Sequence, residues 1–190
     1  MSDRRDAALH YASIGLPVFP LGIKSKVPTA GSHGFQDASS HREHVWAWWQ
    51  RDPWANVGIP TGRASGWLVI DIDGAEGRAG WERLTDEHGQ VSTLTQLTGG
   101  LGLHLVFAYP DGLELGNSPG RLPRHIDVRG QGGYIVVPPS VHPSGRRYRW
   151  LWDTYADRRR NGNAPQEPPT RQQWHLPREP SPMPGWLNAS

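Results

Sequence analysis

The sequence predicts an α/β (α+β) fold over residues 1–152, followed by a Pro/Arg-rich flexible tail or linker over 153–190. Three observations carry this. Short apolar runs bounded by Gly, Pro, Asn or Asp recur from Leu16 to Trp152 and read as strands. Stretches with helical spacing and stop signals lie between them, at about 3–14, 40–51 and 75–88. One run, Trp67-Leu68-Val69-Ile70-Asp71-Ile72-Asp73-Gly74, climbs to two aspartates and stops at a glycine, as a buried strand does on reaching a site.

Positions i and i+2 of a strand face the same way, about 6–7 Å apart. Asp71 and Asp73 therefore sit side by side while Ile72 turns back to the core. Two carboxylates at that spacing repel by roughly 3 kcal/mol at an effective dielectric near 20. A divalent cation between them would offset this. The alternative is a pair of solvated turn aspartates, and this stretch leaves both readings open.

With 190 residues the chain is long enough to bury a core. The 23 glycines and 18 prolines point to loops rather than wholesale disorder. The absence of cysteine excludes disulfides and thiolate zinc sites, so any metal is held by oxygen or imidazole. No apolar run has membrane-spanning length and no signal-peptide core is evident, so a soluble, cytoplasmic protein with no membrane partner is expected. Net charge is only +2, but of 20 basic residues just Lys24 and Lys26 are lysine. Arginine bias fits either a GC-rich genome or phosphate recognition, and position has to decide.

In chain order, Asp3–Ile14 predicts a helix stopped by Gly15, and 16–21 a short strand edged by prolines. The loop 22–34 holds Lys24 and Lys26, either solvated or phosphate-facing. Ser40-x-x-Glu43 predicts a capping box opening a helix to Arg51, with Val45 and Trp49 on one face. Residues 56–62 give a short strand and a glycine turn before the aspartate strand. A helix over 75–88 follows, then a strand at 93–97. Next comes Thr98-Gly99-Gly100-Leu101-Gly102-Leu103-His104, where the glycines free the backbone for amides to converge on an anion. His104 opens the following strand, either as a structural imidazole or as a donor to a phosphate on the same loop.

Residues 121–149 carry six arginines and one acid, Asp127, in the apolar strand His125–Gly130. A lone carboxylate there either joins Asp71 and Asp73 on a metal or pairs with an arginine. Strands at 132–140 and 147–152 complete the set. In the last, Arg146, Arg147 and Arg149 with Tyr148 form a basic–aromatic patch suited to a nucleic-acid backbone and bases, unless Tyr148 and Trp150 face inward. Beyond Asp153, seven prolines and Arg158–Arg160 leave little apolar pattern.

From about Leu9 to Trp152 the chain resembles the bifunctional primase–polymerase (prim-pol) domain of the archaeo-eukaryotic primase superfamily, found in plasmids, phages and integrated elements. The matching stretches come in family order. Pro20-Leu21 leads to Lys26-x-Pro28. Then come Asn56-Val57-Gly58-Ile59 with Thr61-Gly62, Ser65–Asp73, Thr98-Gly99 through His104, and Asn117-Ser118. Asp127-Val128-Arg129-Gly130-x-Gly132-Gly133-Tyr134 and Pro138-Pro139-Ser140-x-His142-x-Ser144-Gly145 close the set.

The resemblance implies an archaeo-eukaryotic primase fold of two packed halves. The second carries the site on an RRM-like, mainly antiparallel sheet, with the cleft between the halves. It implies Asp71, Asp73 and Asp127 as ligands of Mg2+ or Mn2+, and His104 as a contact to the incoming nucleotide's phosphates. Gly102, Arg129 and Lys26 help hold the nucleotide, and Arg146, Arg147, Tyr148 and Arg149 bind DNA. The activity implied is template-dependent nucleotidyl transfer that makes or extends primers on single-stranded DNA from dNTPs or NTPs, in replication of a mobile element. A non-catalytic DNA-binding adaptor acting with a separate helicase is the alternative. One departure stands out: relatives commonly carry a second glycine where this chain has Leu101.

Overall fold

The computed structural model describes residues 3–117, 122–152 and 174–187. Its strands form two mainly antiparallel sheets. The smaller contains β1 (Phe19–Leu21), β2 (Asn56–Pro60) and β7 (Tyr134–Val137), in the order β1-β2-β7. The larger contains β3 (Trp67–Ile72), β4 (Leu94–Leu97), β5 (Leu103–Ala108), β6 (Ile126–Arg129) and β8 (Arg149–Leu151), in the order β6-β3-β5-β4-β8. Helices α1 (Asp3–Ser13) and α2 (Arg42–Arg51) belong with the small sheet. Helix α3 (Gly74–His88) follows directly from β3 and covers the far face of the large one.

Strand alternation explains how the halves meet. Leu68, Ile70 and Ile72 on β3, with Leu103, Leu105 and Phe107 on β5, face Trp81 of α3 in one apolar core. The opposite face divides along its length. At one end Trp67, Val69, Leu94, Val106 and Trp150 pack with α1, α2, β2 and β7 into a second core. At the other end the same face carries Asp71, His104, Gln96 and Asp127. The apolar end holds the sheets together and the polar end opens between them.

Helix α2 begins later than its capping box predicts. His41 is the N-cap residue and makes no side-chain cap bond. Ser39 exchanges backbone hydrogen bonds with Val18 in both directions, each 3.0 Å, which keeps the chain extended past the expected cap. Val45 and Trp49 are fully buried, as their spacing predicts, while Trp46 stays exposed.

Residues 153–173 lie outside the described residues, as do Ser118 and Arg121. Residues 174–187, assigned to the tail from sequence, lie on the fold. Trp174 and Leu176 pack on the first-sheet core, and Met183, Trp186 and Leu187 on the α3 core. Strand β9 (Ser181–Pro182) pairs in parallel with the end of β5. Among the described residues, no helix is long and apolar enough to cross a membrane.

Candidate active site

Pairing register aligns Trp150, Gln96, His104, Asp71 and Asp127 in one row across β8, β4, β5, β3 and β6. Residues directly opposite one another on antiparallel strands have Cβ atoms about 4.5–5.5 Å apart, so this row is a chain of contacts. Gln96 Nε2 lies 3.0 Å from His104 Nδ1. His104 Nε2 lies 3.3 Å from Asp71 Oδ1. The Arg129 guanidinium bridges Asp71 Oδ2 at 3.1 Å and Asp127 Oδ2 at 3.3 Å. Asp127, more than fifty residues from Asp71 in sequence, is thus its direct neighbour.

Asp73 stands at the N-cap of α3, where an aspartate ordinarily accepts a bond from the first turn. It makes no side-chain cap bond there, and it lines the cleft with Asp71 instead. The cleft holds about 270 Å³ and takes walls from both sheets: Asp71 and His104 from the large one, Tyr134, Ile135 and Val136 from the small one, and Lys26 from the loop after β1. Lys26 is close enough to act on the Asp73 carboxylate. The predicted Asp71, Asp73, His104, Arg129 and Lys26 therefore share one cleft.

The electrostatics differ between the two aspartates. Burial alone would raise the Asp71 carboxyl, but its contacts with His104, then with Arg129, hold it well below the usual carboxylate range. Asp73 shifts up, first through burial and then through the charge of Asp71, against the pull of Lys26. It is the carboxylate here whose negative charge the protein leaves least compensated.

The 98–102 turn brings β4 back into β5. Thr98 closes it: Leu101 N–H donates to Thr98 O at 3.0 Å and Gly102 N–H to Thr98 Oγ1 at 2.9 Å. These two amides are therefore not aimed at an anion, which corrects the expectation of a nest built from the whole loop. Gly102 is obligatory for another reason. A Cβ there would lie 2.6 Å from Ile72 O and 3.2 Å from Asp73 Oδ1, so only glycine lets the turn pass under the aspartate strand. Gly133 does the same on β7's approach, where a Cβ would meet Asn117 Oδ1 at 2.4 Å. Leu101 adopts φ +69, the left-handed conformation that glycine prefers. The turn keeps a glycine's shape despite the substitution.

The basic–aromatic patch of β8 does not form as predicted. Tyr148 is 2% exposed, so its ring has no free face for a base. Its hydroxyl is buried without a hydrogen-bond partner among the described residues, on a side chain that lines the cleft. Tyr148 lies just before β8, where its N–H donates to Ser140 O at 3.0 Å and its side chain packs with Phe19, Leu21 and Val136. Arg147 binds Asp3 Oδ2 of α1 at 2.5 Å, Arg149 is half-buried, and Arg146 is exposed. Sequence reasoning missed Gln96, a wholly buried amide inside a strand. The signal was present, since a glutamine in a four-residue strand ahead of the glycine turn needs a polar partner.

The donor set suits a hard divalent cation in part. Asp71 and Asp73 are carboxylates sharing one cleft. Asp127 is tied to Arg129, and among the described residues no group of three or more acidic, histidine or cysteine side chains is placed to hold a metal. Two protein carboxylates completed by water and substrate oxygens match magnesium's habits.

Comparison with protein families matches residues 8–186 to the model described as bifunctional DNA primase/polymerase, N-terminal (Prim-Pol). No curated protein matches the chain.

Proposed function

Because the chain belongs to the Prim-Pol family, we propose that it is a template-dependent nucleotidyltransferase that makes or extends primers on single-stranded DNA, working at the cleft around Asp71. The observation that carries this is the row Gln96–His104–Asp71–Asp127, with Arg129 across it and Asp73 and Lys26 alongside. Phosphoryl transfer asks a protein mainly for positioning and charge. Arg129 and the His104 Nε2 edge from the large sheet, and Lys26 from the loop after β1, would present positive or donor groups to a triphosphate in the cleft. Asp71 and Asp73 would hold Mg2+ or Mn2+, with Asp127 joining as a third carboxylate on release from Arg129. The charge of a cation held there would neutralise phosphate oxygens and favour ionisation of an attacking 3′ hydroxyl. Arg146, exposed just before β8, would meet a template backbone. Replication of a plasmid, phage or integrated element is the setting in which such a domain serves.

One observation favours a second reading. The bridge of Arg129 to both Asp71 and Asp127 leaves no three-ligand metal group among the described residues, as a non-catalytic DNA-binding adaptor acting with a separate helicase would show. Labelled dNTP incorporation with Mg2+ or Mn2+ on primed and unprimed templates separates them. Product that disappears in Asp71→Asn supports transfer. DNA binding with no product in either metal supports the adaptor.

A further inference from the structure

We propose that Gln96 is the positioning residue of His104, fixing its imidazole with the proton on Nε2, the nitrogen that faces Asp71. Only the catalytic consequence rests on the reading of His104 as a phosphate contact; the proton's position does not.

Gln96 is 0% exposed, and a buried amide is costly unless partnered. Its Nε2 carries two hydrogens. One goes to Val136 O on β7 at 2.8 Å, and a carbonyl oxygen only accepts. The other goes to His104 Nδ1 at 3.0 Å. Turning the amide over would set Oε1 against the Val136 carbonyl, acceptor against acceptor, so the first bond fixes the amide and the amide fixes the ring. A neutral imidazole has one donor and one acceptor nitrogen. With Nδ1 accepting, the hydrogen lies on Nε2, 3.3 Å from Asp71 Oδ1. The assignment comes from the hydrogen-bond network, as it must where hydrogens are not seen.

Packing alone would not choose this residue. Gln96 Oε1 is buried with no partner among the described residues, and methionine would fill the space without that orphan oxygen. What glutamine adds is a hydrogen aimed at Nδ1. An imidazole with a bare Nε2 would turn a lone pair toward phosphate oxygens and toward Asp71. The bond to Val136 also ties the imidazole's setting to the small sheet, so the ring is oriented only when both walls of the cleft are in place.

The test is long-range 1H–15N spectroscopy of the full chain with 15N-labelled histidine, followed to a pH at which the spectrum itself shows the His104 ring neutral. His104 is assigned by the signals lost in His104→Asn. His104 is expected to show a protonated Nε2 and a bare Nδ1. In Gln96→Glu, of equal size but with an acceptor at the critical atom, the proton moves to Nδ1 and nucleotide KM rises about tenfold or more. In Gln96→Met the two tautomers mix and KM rises less. A wild-type His104 protonated on Nδ1, or an unchanged pattern in Gln96→Glu, overturns the proposal. The wild-type spectrum decides even where a variant does not fold. If the proton sits as expected but no protein incorporates nucleotide, the positioning stands and the primase reading fails.

Discussion

At position 101 glycine is expected to be more stable than alanine, against the usual effect of glycine. At an ordinary backbone position, glycine is less stable than alanine by roughly 0.5–1 kcal/mol because it has more freedom to lose. Leu101 sits at φ +69, where an L side chain costs about 1–2 kcal/mol. Its side chain is 49% exposed, so either small residue forfeits about half a leucine's burial, and wild type is not the reference. The informative comparison is Leu101→Gly against Leu101→Ala: both lose the side chain, but only alanine keeps the strain. Glycine should exceed alanine by about 1 kcal/mol, roughly a 2–4 °C difference in Tm for a chain of this size. Urea unfolding with an unchanged m-value reads it directly. Alanine as stable as glycine, or more so, would refute the left-handed turn and with it the argument that this loop keeps the family's shape. Because the turn carries Gly102 beneath Ile72 and Asp73, nucleotide affinity of Leu101→Gly should stay within about twofold of wild type, well short of the energy that an altered site would change.

Asp73→Asn should raise stability at pH 7 and not at pH 3. Its folded pKa is raised, so the folded state is disfavoured only once pH climbs past the unfolded value; denaturant melts at both pH values check this, alongside loss of nucleotide incorporation. Asp71→Asn should do the reverse. The folded pKa of Asp71 is depressed, so its contribution is present above the ordinary carboxylate range and fades as pH falls below it, and the variant should be less stable than wild type at pH 7 but converge with it in acid. Tyr148→Phe should stabilise the free protein by about 1 kcal/mol by removing an unpaired buried hydroxyl, and leave single-stranded DNA affinity unchanged in a fluorescence titration; a large loss of affinity would give that hydroxyl a role in DNA binding. Trp186→Ala should lower Tm, because Trp186 packs 5.7 Å from the buried Trp81; an unchanged melt would mean that residues 174–187 add nothing to the fold.

The sequence by itself determined the strand ending in Asp71 and Asp73, the helix behind it, and the glycine turn before His104. These are local matters: period-two burial, stop residues and backbone freedom act over a few neighbours. It also determined the family, because the order of short motifs along the chain survives without any knowledge of distance. Only the tertiary structure decided that Asp127 is the cross-strand neighbour of Asp71, that Arg129 lies between them, and that Gln96 reaches His104. Register between strands far apart in sequence is set by which apolar faces meet, not by either strand alone. Tyr148 is a like case: its neighbours gave it a basic context, but its burial depends on Phe19, Leu21 and Val136, brought to it from β1 and β7. Residues 174–187 read as tail because proline-rich segments have no period of their own, and their aromatic side chains find a place only against cores built by the rest of the chain.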